Sequence, residues 1–245
     1  MDKNQGVVGF QVKLFEDLVL VWHGDGPAPR QVIHRGRTFH RFMDIFFVSH
    51  LELDELSLEE VVALCRARES YSSSIGQANE SVKGLFRRAV AKVTPERVVE
   101  IGAGARPLYD GRGESFDYIA LDADMEAMSK LSSRKESFCA RNGELDLPAA
   151  SVDIVVAVFV FQFRIYDIQI KEISRILKRD GILLVNVYRR SEESRARLAS
   201  DLESSGLHVQ RVNDPQELCC DHEYWVASKS QTSVCEFRDV LCSQF

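Results

Sequence analysis

The sequence has no apolar run long enough to cross a membrane. Its longest, Ile154 to Phe161, is far short of the roughly 20 residues a spanning helix needs. It has no excess of positive charge either. Its 31 Lys and Arg stand against 37 Asp and Glu, a net charge of -6, so no global field draws the chain to nucleic acid. The first residues, Met1-Asp2-Lys3-Asn4-Gln5, lack the pattern of a signal peptide. The six cysteines include no C-x-x-C pair, and a chain of 245 residues does not need disulfide staples. Reduced thiols and a cytoplasmic protein are expected, with no membrane or nucleic-acid partner. Adjacent Cys219 and Cys220 do not easily both reach one tetrahedral ion with His222, and no second pair exists, so no metal is expected. Repeats and low-complexity tracts are absent. What remains is an ordinary globular chain, one large domain or a domain with an extension, whose oligomeric state is not legible.

The N-terminal third mixes short strands and helices. Val7–Leu14 and Leu18–Trp22 are apolar runs about Asp17 and predict a hairpin. His23–Pro29 is a Gly- and Pro-rich loop. A basic patch comes next, with Arg30, His34, Arg35, Arg37, His40 and Arg41. Such a patch is a solvated face, or it holds an anionic acceptor group in arginine forks. Ser57-Leu58-Glu59-Glu60 is a capping box opening a helix to about Arg68, with Leu58, Val61, Val62 and Cys65 on one stripe. Tyr71–Gly76 is a polar loop. A second helix from about Asn79 to Lys92 buries Val82, Leu85, Phe86 and Ala89, and Thr94-Pro95 ends it.

From there strand and helix alternate. Strands are expected at Arg97–Ile101, Tyr118–Leu121 running into Asp122, Ser137–Ala140, Val152–Phe161, Ile182–Tyr188, Leu207–Val212 and Tyr224–Ala227. Val152–Phe161 is almost wholly apolar, as a central strand covered on both faces is. Helices are expected at about Met125–Leu131, at Asp167–Lys178 with Asp180-Gly181 as its stop, and at Ser191–Ser205. Alternating units of this kind make an open, mostly parallel, seven-stranded α/β sheet with helices on both faces, and ligands bind at the carboxyl ends of its strands. The chain is accordingly divided into an N-terminal cap or lead-in region (1–94), a Rossmann-like domain (95–230) and a C-terminal tail (231–245) that folds back or pairs with another subunit.

The stretch Val98-Val99-Glu100-Ile101-Gly102-Ala103-Gly104-Ala105-Arg106-Pro107 organises this core. A buried strand ends in an acid and runs into a loop with glycines at alternate positions. Glycine takes positive φ and has no Cβ to hold a ligand away. Asp122 lies twenty residues after Gly102, at the end of the second strand, where a carboxylate accepts from both hydroxyls of a ribose. The alternative for Asp122 is a helix N-cap, for which Asp124 is better placed. A dinucleotide fingerprint needs G-x-G-x-x-G, and the third position here is Pro107. The segment from Gly104 to the second strand is broken by Asp110-Gly111-Arg112-Gly113 and leaves little room for a helix to hold a pyrophosphate. The expected ligand therefore carries a ribose and no pyrophosphate.

Four segments, in order, then carry a resemblance. They are Glu100-x-Gly102-x-Gly104; Asp122; Gly143-Glu144-Leu145-Asp146-Leu147-Pro148 with Ser151-Val152-Asp153-Ile154-Val155-Val156; and Lys171-Glu172-Ile173-Ser174-Arg175-Ile176-Leu177-Lys178-Arg179-Asp180-Gly181. Across about residues 96–190 the chain resembles the class I S-adenosylmethionine-dependent methyltransferases. The segments are similar to the family's first motif, its ribose acid, its G-D-x-x-x-L-P … F-D-x-V segment and its E-x-x-R-V-L-K-P-G-G helix and turn. The chain departs from the pattern where Arg106 replaces a third glycine, where Glu144 and Asp146 share the place of one acid, and where Arg179-Asp180 replaces Pro-Gly.

The resemblance implies S-adenosylmethionine as cofactor. It sets Gly102 and Gly104 against the methionine part, Glu100 below the amino group, and Asp122 on the ribose. Ala123 lies beside the adenine, and Glu144 and Leu145 flank it. Phe159 lines the methionine end; alternatively it is a plain core residue. The family's N-P-P-Y motif of amino methylation is replaced by Phe159-Val160-Phe161-Gln162-Phe163, an aromatic run that suggests an apolar wall. Tyr71 and Tyr166 are candidates to face the acceptor, with His40 and His222 behind them. The expected activity is methyl transfer to a small molecule, with the basic patch tilting toward an anionic one. Two other readings stay open. One is a different S-adenosylmethionine-using reaction on the same scaffold, aminocarboxypropyl transfer or cyclisation. The other is a non-catalytic binding module.

Overall fold

Two sheets of different kinds form, and the pattern of apolar residues says why. The computed structural model of the chain describes all residues except 1–9, 16, 24–27, 44, 71–76, 130, 132, 139–143 and 216–221. Its contacts divide the chain into Met1–Gly76 and Gln77–Phe245.

The first unit is an antiparallel sheet. Its strands are β1 (Phe10–Phe15), β2 (Val19–Trp22), β3 (Gln31–His34), β4 (Arg37–Met43) and β5 (Phe46–Val48), in the order β1-β2-β5-β4-β3. The hairpin expected of the first two runs forms, with β1 antiparallel to β2 and Asp17 at φ 67 in the turn. Alternation along the strands turns Leu20, Val32, Phe39 and Phe47 to one small core. Helix α1 (Leu58–Glu69) starts at the predicted capping box. The Ser57 Oγ accepts the Glu60 N–H at 3.2 Å, and Glu60 Oε2 accepts the Ser57 N–H at 2.8 Å. Its buried residues are Leu64 and Ala67 rather than the predicted stripe, and Cys65 is exposed. The stripe places that turn of the helix about one residue out of phase.

The second unit is the α/β sheet. Helix α2 (Gln77–Ala91) buries Val82, Leu85, Phe86 and Ala89, as its periodicity predicts. Strands β6 (Arg97–Ile101), β7 (Asp117–Asp122), β8 (Arg134–Ser137), β9 (Val152–Ala157), β10 (Leu177–Val187), β11 (His208–Asn213) and β12 (Glu223–Ser228) make one seven-stranded sheet. Its order is β11-β12-β10-β9-β6-β7-β8, mostly parallel, with β12 antiparallel to β10 and β11. This is the Rossmann-like arrangement. Helices α3 (Asp167–Ile176) and α4 (Glu192–Ser204) pack on each other, and α5 (Gln231–Cys242) packs on α2 and on β10, β11 and β12. Helix α2 thus goes with the parallel sheet although it precedes residue 95, and so does α5 within 231–245. The chain order runs outward one way from β6 to β8 and the other way from β9 to β10. The crevice of the sheet therefore opens between the ends of β6 and β9.

Four local expectations are corrected. Residues 125–129 form turns and not a helix, closed by i→i+3 bonds from Ser129 N to Glu126 O and from Leu131 N to Met128 O. β8 starts earlier than predicted, at Arg134; residues 139 and 140 of the predicted strand lie outside the described residues. β9 stops at Ala157 because the chain turns at Phe159, whose φ is 60. Asp180-Gly181 does not separate helix from strand. α3 ends at Ile176, Leu177 already pairs with Val152, and a register shift before Ile182 absorbs Asp180-Gly181 as a bulge. No described helix is long and apolar enough to cross a membrane.

Candidate active site

The loop after β6 is held from three sides. Gly102 N–H and Ala103 N–H both donate to the Leu121 carbonyl, at 2.7 and 3.1 Å. Gly102 has φ +71, and a Cβ there would stand 2.2 Å from Cγ2 of Val160, just past β9. Only glycine lets these two strand ends approach so closely. Gly104 has φ +53, and its N–H donates to Oδ2 of Asp122 at 2.9 Å. From behind, α2 contributes Lys83 Nζ, donating to the Arg106 carbonyl at 2.6 Å, and Arg87 Nε, donating to the Leu108 carbonyl at 2.8 Å. Sequence reasoning missed Lys83 and Arg87. Their only signal is a basic pair four residues apart, on the helix that precedes the glycine motif.

Glu100 lies under this loop, 2% exposed. Its Oε2 accepts the Leu108 N–H at 2.7 Å and the Tyr118 hydroxyl. Among the described residues Oε1 accepts nothing. Burial pushes the carboxyl up to about 7, against the pull of the Tyr118 hydroxyl, the Leu108 amide, Lys83 and Arg87. Tyr118 in turn is held above the ordinary phenol range, first by its burial and then by the neighbouring Glu100.

Asp122 ends β7 with both carboxylate oxygens in use. Oδ1 accepts the Asp124 N–H at 2.8 Å while Oδ2 holds Gly104. A carboxylate offers about four lone-pair sites, so acceptor capacity remains. Burial raises its pKa, and the Asp124 and Gly104 amides counter that. Asp124 does act as a cap, its Oδ1 accepting the Glu126 N–H at 3.1 Å, although the segment it opens is a turn and not a helix. Ala123 between the two acids is half-buried.

Glu144 is exposed and Leu145 buried. Their placement depends on α3. Glu172 Oε1 accepts the Leu145 N–H at 2.6 Å, and Arg175 donates to the Leu145 and Leu147 carbonyls at 3.2 and 2.8 Å. The two side chains also pair with each other at 2.6 Å. The Glu172-x-x-Arg175 motif thus serves as a clamp on the 145–147 segment.

At the end of β9, Phe159 is buried in a left-handed conformation. Its ring meets Tyr188 and His222 edge-on, with centroids 5.6 and 5.7 Å away. Arg190 ties down the next turn, donating to the Phe161 carbonyl at 2.6 Å and to the Phe163 carbonyl. Within this otherwise aromatic run Gln162 is fully buried, and neither amide atom has a hydrogen-bond partner among the described residues.

The remaining candidates are dispersed. Tyr166 is half-buried at the start of α3, with the Arg164 guanidinium 5.0 Å over its ring. Tyr71 and Cys219-Cys220-Asp221 lie outside the described residues. The basic patch does not converge. Arg41 donates to the Ala28 carbonyl at 3.0 Å, and Arg35 is exposed in the β3–β4 turn at φ 51. His40 sits in mid-sheet, paired with Gln31 and Val48. Arg37 lines a pocket of about 310 Å³ with Thr38, Ser49 and His50. It also lies 3.8 Å from Asp17. Among the described residues no group of His, Cys, Asp and Glu could hold a metal.

Residues 99–185 match the family described as methyltransferase domain. Over these residues the chain carries a methyltransferase domain, in keeping with its resemblance to the class I S-adenosylmethionine-dependent methyltransferases. S-adenosylmethionine is its cofactor. Among solved structures, the chain is similar to the CMeT domain of citrinin polyketide synthase, at 16% identity and a TM-score of 0.50, over 71% of this chain and 57% of that one. That likeness shows the fold. A SAM-dependent methyltransferase from Aquifex aeolicus matches at 19% identity and TM-score 0.42, over 62% of this chain and 88% of its own. One from Archaeoglobus fulgidus matches at 14% and 0.48, over 62% and 94%. No curated protein matches the chain.

The residues present fit the cofactor. The methyltransferase domain pairs a loop with glycines at 102 and 104, over a buried acid, with a carboxylate at the next strand end that keeps acceptor capacity.

Proposed function

We propose that the domain transfers the methyl group of S-adenosylmethionine to a small-molecule acceptor. The observation that carries this is the coupling of Asp122 to Gly104. The same carboxylate that would receive the ribose hydroxyls fixes the loop that would lie under the methionine part. Glu100 Oε1 is proposed to receive the ammonium, Ala123, Glu144 and Leu145 to surround the adenine, and Phe159 to line the methionine end. Bound cofactor supplies a methyl carried on a sulfonium, which is already an activated leaving group. The chain's own work is then to hold the acceptor aligned and close. A base is needed only where the acceptor must lose a proton. Tyr71 and Tyr166 are the proposed groups on that side.

A small molecule is favoured over nucleic acid by the net charge of -6. The wall formed by Phe159, Tyr188 and His222 supports an apolar or aromatic body for it. The unpaired amide of Gln162 supports a polar group or ordered water beside that wall. The N-terminal region is proposed to choose the acceptor, with Arg37 and His50 the groups there that suit an anion.

Calorimetric titration of the full chain with S-adenosylmethionine tests the site. Micromolar binding is expected, and Asp122→Ala should weaken it by at least about tenfold, since it loses a charged acceptor and frees the Gly104 amide. No binding to the wild type overturns the proposal. The product then separates the chemistries. S-adenosylhomocysteine means methyl transfer, and methylthioadenosine means attack on the aminocarboxypropyl chain.

A further inference from the structure

One buried titratable group enters this scheme only through the face of its ring, and its two ring nitrogens have no role there. His222, just before β12, is 5% exposed and stacks on Tyr188 with centroids 4.6 Å and planes 10° apart. Asn186, fully buried on β10, lies between His222 and the backbone of Phe159. Its Oδ1 accepts the Phe159 N–H at 2.6 Å. A backbone N–H only donates, so the oxygen end of the Asn186 amide must face Phe159. Nδ2 then faces the other way, 3.5 Å from Nδ1 of His222. Nδ2 also only donates. Nδ1 must therefore be the acceptor, which puts the ring proton on Nε2.

We propose that Asn186 and His222 are positioning residues of the cofactor site. The neutral, Nε2-protonated ring of His222 fixes the Asn186 amide in the one orientation that accepts from Phe159, and that bond holds Phe159 left-handed. The proposal rests on the reading of Phe159 as the residue lining the methionine end. A bulky residue at φ 60 is an outlier that needs an outside hold, and Asn186 supplies it. A proton on Nδ1 would set two donors face to face. Turning the amide to relieve that would set Nδ2 against the Phe159 N–H, again donor against donor. Protonated His222 and the observed Phe159 turn therefore exclude each other.

Among the described residues, two acids lie close to His222 in the chain, Asp214 and Glu223. The His222 carbonyl accepts the Asp214 N–H at 3.1 Å, while the Asp214 carboxylate accepts the Tyr224 hydroxyl. Glu223 pairs with Arg195 at 2.8 Å. The Tyr188 ring that stacks on His222 carries a hydroxyl and no charge.

The test is long-range ¹H–¹⁵N correlation on the full chain with labelled histidine, across about pH 5 to 8, beside calorimetry with S-adenosylmethionine. Wild-type His222 should show the neutral Nε2–H tautomer. Asn186→Asp keeps an acceptor for Phe159 and offers a carboxylate to Nδ1. It should bring a proton onto Nδ1 and bind the cofactor within about threefold of wild type. Asn186→Leu should lose about tenfold or more in affinity, because the buried Phe159 N–H is left unpaired. An Nδ1–H tautomer in the wild type overturns the proposal. So does a folded Asn186→Leu that binds like wild type. Should the wild type bind no cofactor, the reading of the site fails, and exchange of the Phe159 amide decides the remainder. Protection in wild type and in Asn186→Asp but not in Asn186→Leu upholds the hold on Phe159, and equal protection in all three overturns it.

Discussion

The strand ends on either side of the crevice turn the chain the same way by different means. After β6, Gly102 and Gly104 take φ +71 and +53. After β9, Phe159 takes φ 60 with no glycine in reach. Glycine adopts that region without a Cβ penalty, so the first turn is written in its own residues. The second is written elsewhere. It needs Asn186, 27 positions on, to accept its amide, and Tyr188 and His222 to seat its ring. A turn that glycine makes is unstrained and locally specified. One that phenylalanine makes depends on distant packing, and it ties the crevice end of β9 to β10 and to His222 just before β12.

The largest effect should come where the two turns meet. Gly102→Ala places a methyl 2.2 Å from Val160 Cγ2 and forces a side chain into positive φ. Overpacking and backbone strain together should cost about 4 kcal/mol, read as a lowered midpoint in denaturant. Val160→Ala in the same chain removes the clashing methyl and should recover most of that loss. The remainder, about 1 kcal/mol, is the backbone term. Two additive substitutions would show that the strand ends do not press on each other.

Next in size is the acid below the glycine turn. Glu100 titrates at about 7 when folded, against 4.5 for an ordinary carboxyl. The folded state therefore binds the proton more tightly, and stability falls as pH rises from about 4.5 through 7. The difference is about 3 kcal/mol. Asp122, also raised, adds to the same slope. Glu100→Gln keeps an oxygen for the Leu108 amide and the Tyr118 hydroxyl, because both bonds fall on Oε2. The variant should lack most of this decline when urea unfolding is measured at about pH 5 and pH 8. A decline of equal size in the variant would place the buried proton elsewhere.

The same contrast explains what the sequence made legible. β6 and the acids at the ends of β6 and β7 could be read because apolar runs, glycines and a terminal carboxylate are local signals. The Glu172-x-x-Arg175 motif was visible, but its clamp on Leu145 and Leu147 was not, since nothing in the spacing says which carbonyls an arginine will meet. The helix predicted after Asp124 failed because only Met128 is fully buried there, and one such contact does not carry a helix past its first turn. Asn186 was invisible for a different reason. An asparagine inside Ile182–Tyr188 reads as a break in an apolar strand until the Phe159 amide is seen opposite it. The basic patch read as a cluster because its residues are near in sequence, yet β4 sends Arg37 and Arg41 to different neighbours.

The smallest effect on stability should come from Gly104→Ala, and it separates folding from ligand contact at the glycine turn. Here an added Cβ would lie 3.9 Å from Asp122 Oδ2, an ordinary contact, so only the positive φ of 53 resists it. That should cost about 1 kcal/mol. If the cofactor lies against this loop, the methyl takes up room that the ligand needs, and S-adenosylmethionine affinity should fall by about tenfold, more than the stability loss alone implies. Gly102→Ala should show the reverse balance, with stability the larger loss, because its methyl meets Val160. An unchanged cofactor affinity in a folded Gly104→Ala would mean that the ligand does not approach the loop at Gly104, and Asp122 would then hold Gly104 for the fold alone.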